Sequence, residues 1–81
     1  MNHEMVLNIL LEKIRYIIPD LEGRSIQSSD SLKLMGVNSI DRVDILVETM
    51  DELDISLPLT KFSNAKNIGE LAEIMLQEKE I

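Results

Sequence analysis

Ser39 is the residue of this sequence whose type and position could do chemistry. It follows Gly36, Val37 and Asn38, and apolar residues with helical spacing begin directly after it. Asparagine is a good N-cap, since its side-chain oxygen accepts hydrogen bonds from the free N–H groups of the first turn. Asp41 would lie in that turn, where a carboxylate interacts favourably with the helix dipole. Because helix N-termini bind phosphate groups, we predict that the exposed Ser39 hydroxyl receives a phosphate-linked modification.

A helix is predicted over about residues 2–18, since apolar side chains recur there at helical spacing. Pro19 ends this helix, because proline supplies no N–H and disfavours helical geometry in the residue before it. The apolar stripe of the helix comprises Val6, Ile9, Leu10, Ile14, Ile17 and Ile18. A long ordered loop over residues 21–35 follows, and the apolar residues expected to pin it to the core are Ile26, Leu32 and Leu34.

Two further helical segments follow the helix that Ser39 opens. Residues 60–64 suit a single short helical turn, for which Phe62 would be the anchor. Asn67 then caps a last helix, with Glu70 three residues later at the spacing of a capping box. We expect this helix to fray near its end. Its apolar face comprises Ile68, Leu71, Ala72, Met75 and Leu76.

The helix that begins at Ser39 presents two apolar stripes when its residues are placed about 100° apart. The stripe assigned to the core comprises Leu46, Met50 and Leu53. The stripe assigned to an exposed docking face comprises Ile40, Val43 and Val47. The alternative is that a small bundle buries both stripes. Six of the fifteen acidic residues lie on this helix or just past it: Asp41, Asp44, Glu48, Asp51, Glu52 and Asp54.

Composition narrows the classes of partner and site. The 81 residues suit one domain, 1–81, and eight basic against fifteen acidic residues give a net charge of −7. This charge argues against nucleic acid, which needs a basic surface, and favours basic protein partners. No cysteine is present, and no run of residues suggests a metal site, a membrane span or a signal peptide. We therefore expect a cytoplasmic monomer.

A short signature links the chain to a known family. The segment Gly36-Val37-Asn38-Ser39-Ile40, followed by Asp-Arg-Val-Asp-Ile, resembles the Gly-x-Asp-Ser-Leu signature of acyl carrier proteins. The resemblance implies an all-α bundle of three main helices and one short helix. It also implies that Ser39 carries a covalent 4′-phosphopantetheine arm, whose thiol holds an acyl group, and that the carrier is not itself an enzyme. Asn38 departs from the family's usual aspartate.

Two segments are similar, more narrowly, to free-standing carriers of polyketide β-branching cassettes: Asn38-Ser39-Ile40-Asp41-Arg42 and Lys66-Asn67-Ile68-Gly69-Glu70-Leu71. This likeness implies a donor of acetyl or malonyl groups, and a single domain without a linker suits that role. The implied partners are a phosphopantetheinyl transferase, an acyltransferase, and a hydroxymethylglutaryl-CoA-synthase-like enzyme or a ketosynthase. The residues predicted to dock them are Asn38, Ile40, Asp41, Arg42, Val43, Asp44, Val47 and Glu48.

Two other functions remain open at this point. One is a generic fatty-acid carrier, in which Asn38 and Arg42 would have no special role. The other is an unmodified helical module that binds a partner through the same face. A small hydrolase or acyltransferase lacks support, because no histidine or cysteine is placed in the sequence to activate Ser39.

Overall fold

Three α-helices account for most of the chain in the computed structural model, which describes residues 1–80. They are α1 (His3–Ile17), α2 (Ser39–Leu53) and α3 (Ile68–Glu80). Two short 3₁₀ turns, Pro19–Leu21 and Leu59–Phe62, lie in the connections. No strand occurs among the described residues. The predicted all-α bundle is therefore confirmed, with the short helix beginning one residue earlier than expected and an additional turn directly after α1.

The boundaries of α1 follow from its capping residues. The Asn2 side-chain oxygen accepts a hydrogen bond from the Met5 N–H at 2.9 Å, which satisfies one free donor of the first turn. Pro19 begins the first 3₁₀ turn, one residue beyond the end of the predicted helix. Between these points, the fully buried residues of the predicted stripe are Val6, Leu10 and Ile14, while Ile9, Ile17 and Ile18 are half-buried.

α1 packs against both α2 and α3, so the core forms along α1. The residues that α2 contributes to it are Ile45, Thr49, Met50 and Leu53. Thr49 is the buried polar residue of this group, and its hydroxyl donates to the Ile45 carbonyl at 2.7 Å. That hydrogen bond removes the cost of burying the hydroxyl without a partner. Phe62 anchors the second 3₁₀ turn in the same core, as predicted.

The prediction that Leu46 is a core residue is wrong in degree. Leu46 is half-buried, whereas Ile45, which the two-stripe assignment left out, is fully buried. The reason is the direction from which α2 is covered. Because α2 packs on α1, the side that carries Ile45, Thr49 and Leu53 is enclosed, and Leu46 lies at the edge of that contact.

The loop between α1 and α2 is ordered because it caps α3. The Asp30 carbonyl accepts from the Ile68 N–H at 2.9 Å, and the Ser28 carbonyl accepts from the Gly69 N–H at 2.8 Å. The Asn67 side chain accepts from the Glu70 N–H at 2.8 Å, which confirms the predicted N-cap. Free N–H groups at the start of α3 are thus satisfied by a loop that precedes them by 38 and 41 residues in the chain.

One detail of the sequence-based prediction is corrected in the loop before α2. Leu34, predicted to pin the loop, is 88% exposed, while Ile26 and Leu32 are buried as expected. α3 extends to Glu80, and the predicted fraying of residues 78–80 stays a prediction. The Lys79 ammonium donates to the Leu53 carbonyl at 2.8 Å, which ties the end of α3 to the end of α2.

Candidate functional site

A tight turn delivers the chain to the start of α2. The Leu32 carbonyl accepts from the Val37 N–H at 3.0 Å, and the Lys33 carbonyl accepts from the Gly36 N–H at 3.1 Å. This pair of hydrogen bonds is the Schellman arrangement, with Gly36 in the left-handed position at φ 89°. Leu32 and Val37 are both buried, which supplies the apolar contact that accompanies the motif. The turn also explains Leu34, which lies on the side facing away from buried Leu32.

Replacing Gly36 by alanine should destabilise the turn by about 1–2 kcal/mol, because an L-residue is strained at positive φ. A Cβ atom at this position would meet no other atom within 4 Å, so the cost comes from the backbone alone. Urea denaturation of the two proteins measures this difference in the free energy of unfolding.

Gly23→Ala is the matched control for that change. Gly23 also has open space around its missing Cβ, and its φ is not positive. This variant should therefore be neutral or more stable by up to about 1 kcal/mol, since alanine narrows the unfolded ensemble. Equal effects of the two substitutions would contradict the assignment of strain to Gly36.

The residues on both sides of Ser39 are held in place. The Asn38 side-chain oxygen accepts from the Asp41 N–H at 2.8 Å, and its amide donates to the Asp41 carboxylate at 3.3 Å. Val37, which precedes Asn38, is buried in the core. The Val37 carbonyl accepts a hydrogen bond from Arg42 Nη1 at 2.7 Å. Ser39 itself is exposed and is the first residue of α2. The structure thus confirms the predicted cap and presents the Ser39 side chain to solvent from a rigid start.

This arrangement suits a hydroxyl that another enzyme modifies. A serine hydroxyl is a weak nucleophile unless a neighbouring base activates it. The chain's histidine, His3, lies at the start of α1, where its Nε2 is 3.1 Å from the Gly69 carbonyl oxygen. The positive end of the α2 dipole adjoins Ser39 and favours a phosphate group attached there.

The predicted docking stripe is exposed on α2. Ile40 is 73% exposed, and Val43 and Val47 are each 39% exposed. The alternative in which the bundle buries both stripes is therefore wrong. Asp44 and Glu48 are exposed on one flank of the stripe. The docking function of these residues remains a prediction.

Two other acidic residues of α2, Asp41 and Glu52, are engaged within the chain. Asp41 belongs to the helix cap already described. The Glu52 carboxylate lies 2.8 Å from the Lys13 ammonium of α1, and this hydrogen bond raises the pKa of Lys13. The negative charge that remains exposed on α2 beside the stripe is that of Asp44, Glu48 and Asp51.

A groove that sequence reasoning missed opens on the other flank of α2. Its volume is about 350 Å³, and it lies between α2, the turn before Gly36 and the start of α3. The apolar residues that line it are Leu32, Leu46, Phe62, Ala65 and Leu71. The basic residues that line it are Lys33, Arg42 and Lys66. Lys33 and Lys66 are 33 positions apart in the chain, so no local pattern indicates that they share a surface.

The part of the chain that the structure describes offers neither a metal site nor a membrane span. No group of three or more histidine, cysteine, aspartate or glutamate side chains there is arranged to hold a metal ion. Within the same part of the chain, every helix is too short or too polar to cross a membrane.

Three comparisons with known proteins all find similarity to carrier proteins. A family model described as the phosphopantetheine attachment site matches residues 12–75. The polyketide biosynthesis acyl-carrier-protein AcpK of Bacillus subtilis (strain 168) is 32% identical over 75 residues, which are 93% of this chain and 92% of AcpK. A chain from the crystal structure of the curacin biosynthetic pathway HMG synthase in complex with acetyl donor-ACP is 39% identical, with a TM-score of 0.85. That match covers 91% of this chain and 95% of the other.

Proposed function

This chain belongs to the acyl carrier proteins, and from that premise we propose that it donates acetyl groups in polyketide β-branching. Members of the family hold their cargo on a phosphopantetheine arm bound covalently to a serine. We assign that serine to Ser39. The observation that carries the assignment is its position: an exposed hydroxyl at the first residue of α2, between the anchored Val37 and the capping Asn38.

The arm supplies chemistry that the polypeptide lacks. The sequence contains no cysteine, so a thioester requires a thiol from elsewhere. A phosphopantetheinyl transferase attaches the arm to the Ser39 oxygen, and the thiol at the far end of the arm then holds the acyl group. The protein acts as a substrate for enzymes that load and unload this thiol. Its own residues orient the attachment point and provide the surface that those enzymes recognise.

The donor role is supported by the relatives. The solved structure at 39% identity contains an HMG synthase and its acetyl donor carrier, and AcpK is a carrier of polyketide biosynthesis. An acyltransferase loads the arm in this proposal, and an HMG-synthase-like enzyme receives the acetyl group. The exposed stripe of Ile40, Val43 and Val47, flanked by Asp44 and Glu48, is the surface on which we expect these enzymes to dock.

The decisive experiment compares two cargoes and two enzymes. The arm is loaded with acetyl or with malonyl. Each form is offered to an HMG-synthase-like enzyme together with an acceptor carrier that holds a β-ketoacyl group, and to a fatty-acid elongation ketosynthase that holds an acyl primer. We expect the acetyl form to donate to the synthase and the malonyl form to support little elongation. Acetyl transfer is quantified by the mass of the acyl group on the acceptor carrier. Elongation is quantified by the mass of this chain itself, because decarboxylative condensation leaves the β-ketoacyl product on the carrier that held the malonyl group.

A generic fatty-acid carrier would give the opposite pattern. Efficient elongation from the malonyl form, together with no acetyl transfer to the synthase, would reject the donor role. The Ser39→Ala protein, which has no attachment point in this proposal, is the control for transfer that bypasses the arm.

A further inference from the structure

The two flanks of the docking stripe carry opposite charges. Asp44 and Glu48 lie on one side of the exposed residues Ile40, Val43 and Val47. On the other side of α2 is the groove whose rim contains Lys33, Arg42 and Lys66. Three of the chain's eight basic residues are therefore gathered at one groove of a protein whose net charge is −7. Such a concentration of positive charge in an acidic protein favours a negatively charged occupant.

The groove also has an apolar floor. Phe62 and Leu71 are buried beneath it, and Leu46 and Ala65 are half-buried at its walls. An occupant with only a charge would leave the apolar floor exposed to water. An aspartate or glutamate next to an apolar side chain would pair with the basic rim and also cover the apolar floor. At about 350 Å³, the groove has room for one or two side chains.

Arg42 is positioned for such an occupant before any partner arrives. Its Nη1 donates to the Val37 carbonyl at 2.7 Å, which holds the guanidinium at the groove. Among the described residues its other N–H groups make no further hydrogen bond, so they can donate to a partner. The side chain is half-buried, so its charge is less screened by water than that of a fully exposed lysine. A guanidinium held in this way loses little conformational entropy when it binds a carboxylate.

We propose that this groove receives an acidic side chain, next to an apolar one, from the enzyme to which the carrier delivers its acyl group. The inference rests on the proposed carrier function and adds a second contact to the docking stripe. An acidic flank alone allows α2 to lie on a basic surface in more than one direction. Opposite charges on the two flanks favour one direction only, and this directs Ser39 toward the partner's active site.

The first test reverses the charge of the groove without touching Arg42, which also supports Val37. In Lys33→Glu/Lys66→Glu, we expect kcat/KM for acetyl transfer to the synthase to fall by about tenfold, since a repelled carboxylate disfavours docking. The matched control is Arg24→Glu/Lys61→Glu, which changes the net charge equally at exposed residues that do not line the groove. The control should stay within about twofold of wild type.

The second test identifies the occupant directly. A carbodiimide joins a lysine amine to a carboxylate in contact with it, so it is applied to the wild-type holo carrier mixed with the synthase. We expect cross-links from Lys33 or Lys66 to an aspartate or glutamate of the enzyme, located by mass spectrometry. Cross-links restricted to Lys61, or equal losses of activity in the two double variants, would overturn the proposal.

Two other outcomes are distinguished from the proposal: binding of the arm's own acyl group in the groove, and failure of the donor role. If the groove holds the arm's own acyl group, loading the arm without any partner should shift the amide resonances of Phe62 and Lys66, and that would overturn the proposal. If the wild-type carrier gives no acetyl transfer, the donor role fails. The groove is then tested with the ketosynthase that accepts the malonyl form, using the same variants and cross-link.

Discussion

Ser39→Ala should abolish the mass gain that the wild-type chain shows after co-expression with a phosphopantetheinyl transferase. The substitution removes the hydroxyl oxygen to which the arm would be attached. It should leave the fold intact, because Ser39 is exposed and the cap of α2 is made by Asn38 and Asp41. Intact-protein mass spectrometry measures the modification, and circular dichroism checks the helix content of the variant.

Ser56→Ala is the control for this experiment, since Ser56 is another exposed serine, three residues past the end of α2. It should be modified as fully as the wild type. Modification that persists in Ser39→Ala, or that maps to Ser31, would contradict the assignment. A wild-type chain that gains no mass would instead support an unmodified interaction module.

Ile45→Ala should cost about 2–5 kcal/mol of unfolding free energy, the range for truncating a buried aliphatic side chain. Ile45 is fully buried where α2 packs against α1, so the substitution leaves a cavity in the core. A domain of this size has about 5–15 kcal/mol of stability in all, so this loss is a large share of it. Urea denaturation measures the change in unfolding free energy.

Val47→Ala is the matched comparison on the same helix. Val47 is 39% exposed, so its truncation should cost no more than about 1 kcal/mol. It should nevertheless weaken turnover by partner enzymes if the exposed stripe is the docking face. Leu46→Ala, at a half-buried position, should fall between the two. Equal losses of stability for Ile45→Ala and Val47→Ala would disprove the assignment of faces.

The local features of the site were predictable because they depend on neighbours in sequence. Asn38 caps α2 through an N–H three residues later, and Asn67 and Glu70 are related by the same spacing. Pro19 ends the preceding helix because its ring leaves no backbone N–H to donate. The prediction that Ser39 is an exposed first residue of a helix followed from these interactions, and the structure confirms it.

The loop before α2 shows where local reasoning is insufficient. Leu32 and Leu34 are equally apolar, yet one is buried and the other is 88% exposed. The turn that ends at Gly36 decides between them, since it directs the two side chains to different sides. Treating residues 32–36 as a helical turn would have distinguished the two leucines. Residues two positions apart point to different sides of a helical turn but to the same side of an extended segment.

The sequence by itself determined where the helices begin, which serine stands at the start of α2 and which apolar side chains are available for a core. Tertiary structure alone decided which of them are enclosed, because burial depends on the direction from which α1 covers α2. That direction encloses Ile45 and leaves Leu46 at the edge. Tertiary structure also brought Lys33 and Lys66 to one groove, since the loop that caps α3 draws two distant segments together.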